Sequence, residues 1–398
     1  MRAFFARLAR MDLAITLSMA ALSAIGVAFV YSVGSASWAE TGAAAAVRTK
    51  YVSQAAAAAA GFAAYFALAQ ADYRKILVWA AAPLYALSVL ALAAVLVFGT
   101  EINHARRWLW GFQPSEFAKV ALILALAALF GPGRMAGRGF KAFLAGAAAI
   151  AAPAVLVNME PDLGTVLVMA AAGVAMMLAA RVWTKGMAAM LAAAACVAAF
   201  ELSTVRMAER EPDPERKAEL LARTGLRPHQ IDRLRVFLFP DTDILGAGYH
   251  LRQAEISVGS GGLWGRGFGK GRQTQWGYMQ PSKSISDFIF AALAEEAGFA
   301  GSATVLALYL AFLAGCVRTA LKADDDGGRL IAAGAGTLVF CHVYENVAMN
   351  IGLMPITGLP LPFISYGRTS LAAFMALAGL VQSVAVHSGD GARAKEGG

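Results

Sequence analysis

Ten apolar runs, near residues 13–33, 52–70, 76–98, 117–131, 143–157, 164–181, 187–204, 287–316, 329–351 and 369–387, leave this chain few environments to fold in other than a lipid bilayer. Crossing the roughly 30 Å hydrocarbon core takes about 20 apolar residues in a helix. In lipid every backbone N–H and C=O must be satisfied internally, and successive long apolar runs do this as helices. The fourth and fifth runs are the shortest, with indistinct ends. Composition agrees: 59% of the 398 residues are hydrophobic and 15% charged, against about 45–50% and about 25% in soluble domains. The expected fold class is an all-α polytopic membrane protein with about ten transmembrane helices. Residues 1–398 read as a single membrane domain, interrupted by one long extracytoplasmic loop at 205–286.

Arg2, Arg7 and Arg10 precede the first run as they would in a signal peptide. That run exceeds an ordinary signal core and nine others follow it, so it is expected to be retained as the first helix. The net charge of +8 could point to nucleic acid, but the basic residues sit mostly in short loops and read as topology signals. With the N-terminus cytoplasmic, the short loops and tail on its side hold fifteen Lys and Arg, among them Arg74, Lys75, Arg134, Arg138, Lys141, Arg318 and Lys322. The opposite short loops hold five: Arg48, Lys50, Arg106, Arg107 and Arg368. Both termini are therefore expected inside. Every polar cluster then faces outward. Cys196, Cys316 and Cys341 lie in apolar runs at no metal-ligand spacing and read as packing residues.

Four clusters could carry chemistry. Arg107-Trp108 precedes Gln113-Pro-Ser-Glu116-Phe-Ala-Lys119, where Pro114 suits a helix start. Glu116 and Lys119, three apart, share a face and can pair. They read either as a salt bridge entering the bilayer beside an aromatic belt or as lining of a site. Asp162 in Asn158-Met-Glu-Pro-Asp162 reads equally as a helix cap or as a functional acid. Loop 205–286 contains a charged helical piece from Pro214 to Leu226. A second, amphipathic piece from His229 to Phe239 could lie in the membrane interface. The glycine-dense Gly259–Gly271 fails the P-loop template, because Trp264 stands where glycine is needed and Gly271 follows Lys270. It reads as a backbone-amide cradle for a lipid-linked phosphate or sugar, or as a plain flexible loop. Finally, Asp287 stands where a polar loop enters the eighth run. After the ninth run, with Glu345, Asn346 and Asn350 on one face, comes a proline- and glycine-rich stretch to Arg368 that reads as a broken, re-entrant segment before the last helix. Such backbone at membrane depth needs protein or a cavity to satisfy it.

Gln113–Lys119, Glu160–Thr165, Gly259–Gly262, Asp287–Ala291 with Ala294-Glu-Glu296, and Thr357–Gly367 resemble, in order, the signature segments of the shape, elongation, division and sporulation (SEDS) family. The Asp241–His250 stretch is more similar to the family's rod-shape branch than to its division branch. The resemblance implies a peptidoglycan glycosyltransferase that polymerises lipid II outside the cytoplasmic membrane. Its implied partners are a class B penicillin-binding protein and other membrane proteins of the elongation complex, with no nucleic acid. By the family pattern Asp287 is the essential acid. Arg107, Trp108, Glu116, Lys119, Asp162, Ser365 and Arg368 are substrate-binding candidates, with Lys119, Arg107 and Arg368 facing a leaving diphosphate. No cofactor is required by this reading, and a divalent cation (Mg²⁺ or Mn²⁺) is an alternative source of positive charge. Two departures stand out: Ile285-Ser286 replaces the family's His-Thr, and Arg368 replaces a glycine. The rival readings are a lipid II flippase or transporter, and a scaffold with a relic cavity. A flippase would scramble substrate independently of Asp287, and a scaffold would tolerate charge-neutral changes there.

Overall fold

The computed structural model describes residues 7–35, 47–102, 105–131, 139–240, 246 and 248–388. Arg2, Arg134, Arg138, Arg393 and Lys395 lie outside these residues, as do 36–46 of the first loop expected to face outward. Most of the Asp241–His250 stretch, 241–245 and 247, also lies outside them.

Every expected run is a helix. They are α1 (Leu13–Gly34), α2 (Lys50–Gln70), α3 (Tyr73–Phe98), α4 (Pro114–Phe130), α5 (Phe140–Met159), α6 (Leu163–Ala179) and α7 (Thr184–Arg210) before the long loop. The loop carries α8 (Pro214–Ala222), α9 (Pro228–Leu238), α10 (Tyr249–Ser260) and two short helices, α11 (Arg272–Gln275) and α12 (Pro281–Ile285). After it come α13 (Ile289–Lys322), α14 (Asp326–Asn350) and α15 (Arg368–His387). Eight are long and apolar enough to cross a membrane. Of the ten expected runs the two shortest helices are α4 and α6, with 17 residues each, while the fifth has 20. A two-stranded antiparallel hairpin, β1 (Thr100–Ile102) and β2 (Ala105–Trp108), joins α3 to α4 and pairs Glu101 with Arg106.

The helix starts follow local chemistry. Asp12 accepts from the amides of Ala14 and Ile15 to open α1, and Asp325 accepts from Gly328 (2.8 Å) to open α14. Pro114 occupies the first turn of α4, where its missing N–H leaves no bond unmade. Of the spans, α15 and α14 are the most enclosed and α7 the least. The buried core runs along α14 and α15, with α1, α2, α4, α6 and α13 packed around them.

The eighth run is not one continuous helix. At Gly298 (φ 69°, ψ −166°) α13 breaks, freeing carbonyls before the break and amides after it. The glycine-dense loop supplies their partners. Arg266 and Gly267 donate backbone N–H to the carbonyls of Glu295 and Glu296 (both 3.0 Å), while Phe299 and Ala300 donate to those of Gly262 (2.8 Å) and Leu263 (3.0 Å). Further amides reach side chains: Gly269 N–H donates to Glu296 Oε2 (3.0 Å) and Gln273 N–H to Glu295 Oε1 (3.2 Å). These amides are thus occupied by the chain's own carboxylates, which argues against the ligand-cradle reading. Ser32 of α1 also donates to Glu296 (2.7 Å). The roughly 24 residues beyond the break reach about 36 Å, enough to cross the bilayer unaided.

Close approach makes the glycines specific. A Cβ on Gly265 (φ +79°) would lie 2.1 Å from the carbonyl oxygen of Glu296, whereas one on Gly259 meets nothing within 4 Å. Gly265→Ala is expected to destabilise the fold by about 2–5 kcal/mol through left-handed strain and overpacking. Gly259→Ala is the control and should match wild type in thermal unfolding of the detergent-solubilised protein.

Candidate active site

The neighbouring ends of α4, α6, α9, α12 and α15 and the non-helical strap 351–367 surround a polar cavity of about 530 Å³. Asp287 lines it between α12 and α13, half-buried. Its position is fixed through its backbone: Asn346 and Asn350, one turn apart on α14, donate side-chain N–H to the Asp287 carbonyl at 2.9 and 3.2 Å. Asn346 also donates to the carbonyl of Leu359 on the strap (2.8 Å). One side chain therefore sets the spacing between the acid and the cavity wall. Gly358 (φ +77°) brings that wall close, since a Cβ there would lie 3.6 Å from Asp287 Oδ2.

Three cations face the acid. Arg107, carried by β2, donates to the carbonyls of Glu160 (3.1 Å) and Pro161 and lies 3.7 Å from Asp162 Oδ2. Arg233 of α9 donates to the Thr357 carbonyl (3.2 Å), and Lys283 comes from α12. Burial pushes the Asp287 pKa up, and the Ser286 hydroxyl, Lys283, Arg233 and Arg107 pull it partly back. Burial lowers the Lys283 and Arg233 pKa values, and the carboxylates partly offset this, that of Asp287 for Lys283 and those of Asp162 and Asp287 for Arg233. A partly dehydrated carboxylate beside such cations suits proton abstraction together with stabilisation of a departing anion.

Asp162 caps α6 by accepting from Thr165 N–H (3.3 Å), and it also lines the cavity. Next to it Glu160 is buried, its carboxyl oxygens without hydrogen-bond partners. Burial and the Asp162 charge push its pKa up to about 8, with Arg107 pulling it partly back. Trp108 and Glu116 also line the cavity.

Three sequence candidates do not line it. Lys119 is buried behind the wall, 3.0 Å from Glu116 Oε2 and 3.0 Å from His342 Nε2. Ser365 is spent on backbone: its hydroxyl donates to the Ser286 carbonyl (2.6 Å) and accepts from Leu361 N–H (2.8 Å). Arg368, the first residue of α15, is exposed. Two cations escaped the sequence reading. Arg233 looked like part of an interfacial helix face, but it turns into the cavity, whereas Arg235 pairs with Glu209 at 2.6 Å. Lys283 stands four residues before Asp287, a helical spacing that could have drawn attention to it.

Among the described residues no three His, Cys, Asp or Glu side chains converge as metal ligands do. A larger cavity, about 810 Å³, lies at the far ends of α1, α13 and α15. There Asp12 is already paired with Arg318 at 3.0 Å.

The profile of the FtsW/RodA/SpoVE family, described as "Cell cycle protein", matches residues 12–390. The peptidoglycan glycosyltransferase MrdB of Escherichia coli K12 is 35% identical over 76% of this chain and 77% of its own length. The peptidoglycan glycosyltransferase RodA of Treponema pallidum is 31% identical over 94% and 97%. A solved chain from a study of the structural coordination of polymerization and crosslinking by a peptidoglycan synthase complex superposes with TM-score 0.73. It is 30% identical, with 95% of this chain and 98% of that one covered. The crystal structure of RodA from Thermus thermophilus gives TM-score 0.63 at 27% identity, with the same coverage. With the signature segments in order, the helices in place and the profile spanning almost the whole sequence, this chain belongs to the FtsW/RodA/SpoVE family of cell cycle proteins, the SEDS family.

Proposed function

We propose that the protein is a peptidoglycan glycosyltransferase that polymerises lipid II on the outer face of the cytoplasmic membrane, with Asp287 as general base. The observation that carries this reading is the pairing of one half-buried carboxylate with three cations in a cavity at one end of the helices. The names of the bacterial relatives support the activity. Asp287 takes the proton of the acceptor sugar's 4-hydroxyl as that oxygen attacks the anomeric carbon of the donor. The bond from that carbon to the polyprenyl diphosphate breaks, the diphosphate leaves with the electron pair, and the anomeric centre inverts. A diphosphate leaves without a protonating acid, so one carboxylate suffices. Arg233, Arg107 and Lys283 face the charge that develops, a role Lys119 cannot fill from behind the wall.

The single domain spans 1–398, with the outer loop 205–286 delivering Arg233 and Lys283 to the cavity and both termini in the cytoplasm. A class B penicillin-binding protein supplies crosslinking, in keeping with the synthase complex that one structural relative comes from. The elongation role, as opposed to division, rests on the rod-shape likeness of the Asp241–His250 stretch.

Purified protein with its penicillin-binding partner, the partner's transpeptidase blocked, tests this on lipid II. Asp287→Asn should lower glycan formation by about 10²–10⁴-fold. Strands from the variant at the wild-type rate would clear Asp287 and direct attention to Asp162 and Glu116. No strands from either protein would favour the flippase or scaffold.

A pH profile supplies a second test. The base must be ionised, and burial raises its pKa, so activity falls on acidification at a pH above the ordinary aspartate range. Lys283 holds that pKa down. Lys283→Met should therefore shift the acid limb to higher pH, read from the rate of strand formation between about pH 5 and 8.

A further inference from the structure

His342, which no part of the proposed chemistry uses, is fully buried on α14 between two groups of fixed polarity. Its Nε2 lies 3.0 Å from Lys119 Nζ, and its Nδ1 lies 3.2 Å from the carbonyl oxygen of Pro360. A lysine ammonium can only donate and a backbone carbonyl can only accept. The imidazole must therefore be neutral, with its proton on Nδ1 and its lone pair on Nε2. Lys119 is held in turn by Glu116 at 3.0 Å, and Glu116 and Pro360 both line the cavity. The four groups form a closed polar line that leaves one cavity wall, passes behind it and returns to another.

The line ends on the segment that confronts Asp287. Three carbonyls of the strap, Thr357, Leu359 and Pro360, are gripped by Arg233, Asn346 and His342 respectively. Between the first two lies Gly358, where an added Cβ would come to 3.6 Å from Asp287 Oδ2. His342 and Asn346 are four residues apart on one face of α14, so a single rigid helix holds both the acid's backbone and the wall opposite it.

We propose that His342 is a positioning residue for the transfer reaction: its Nδ1–H holds the Pro360 carbonyl and thereby sets the strap against Asp287. In this arrangement Lys119 acts on the imidazole, keeping its Nε2 free of a proton, instead of contacting substrate. The proposal uses the glycosyltransferase reading for its kinetic test only, and the tautomer test is independent of any activity.

Asparagine places its amide near the imidazole Nδ1 position, and glutamine places its amide near Nε2. His342→Asn can still donate to Pro360, whereas His342→Gln can meet Lys119 but not the strap. In the complex with the penicillin-binding partner, His342→Gln should lower kcat by about 10–100-fold with KM for lipid II within about twofold, the cost of a misplaced wall. His342→Asn should stay within about threefold of wild type. Equal loss in both variants, or full activity of His342→Gln, would overturn the proposal. Independently, ¹⁵N-histidine spectra of the wild-type chain in lipid nanodiscs, with the His342 signals assigned by their absence in His342→Asn, should show protonated Nδ1 and unprotonated Nε2 near pH 7. A protonated Nε2, as the other tautomer or the imidazolium, would refute it even if no glycan is made.

Discussion

The site depends on how the chain satisfies backbone polar groups where α13 breaks. A helix interrupted next to a bilayer exposes donors and acceptors that lipid cannot meet, at a cost of several kcal/mol each. Here the glycine-dense loop runs beside the break at Gly298 and exchanges four backbone hydrogen bonds with it. Two buried glutamates, Glu295 and Glu296, fasten the same loop through further amides, and Ser32 ties Glu296 to α1. The short helical stretch from Ile289 to the break is thereby fixed against the rest of the protein, and Asp287 sits immediately before it. What holds the acid is therefore a backbone repair some ten residues away, together with two asparagines on α14.

Charge in the cavity is arranged unevenly. Arg107 is committed to the Glu160–Asp162 turn and Arg233 to the strap, yet both line the open space, so their second faces remain toward it. The buried ion pair of Glu116 and Lys119 is different: with 2% exposure each, neither can be separated from its partner without stranding a charge. Such a pair is weak evidence for stability but strong evidence that the two charges act as one unit. The sequence spacing of three showed that they could pair; only the packing shows that the lysine's remaining reach goes to His342.

Much of the architecture was legible from the sequence. Ten apolar runs became ten helices, Pro114 opened α4, Asp162 capped α6, and the proline- and glycine-rich stretch before α15 proved non-helical. The break in α13 was not legible. Glycine is unremarkable in a membrane helix, and the left-handed conformation of Gly298 comes from contact with residues more than thirty positions upstream. Arg233 was missed for a related reason: helical periodicity says which residues share a face, but not what that face meets. The contacts of Ser365 and Lys119 were not legible either, because a hydroxyl or an ammonium in a signature segment can serve the backbone or another side chain as readily as a ligand.

The strap has a further property that follows from its composition. Pro360 and Pro362 bring carbonyls without N–H groups, so Leu359–Pro362 offers four acceptors and only two donors. A surplus of lone pairs inside a membrane protein has to be matched by its surroundings. The side chains that meet the strap's carbonyls at Leu359, Pro360 and Pro362 are donors: Asn346, the imidazole N–H and the Tyr309 hydroxyl, respectively. These carbonyls thus work as a template of one hydrogen-bonding sense. Any exchange at these positions that keeps polarity but reverses direction, such as asparagine to aspartate at 346, would set lone pair against lone pair. For this part of the chain, conservative substitution is defined by the direction of the proton and not by size or charge class.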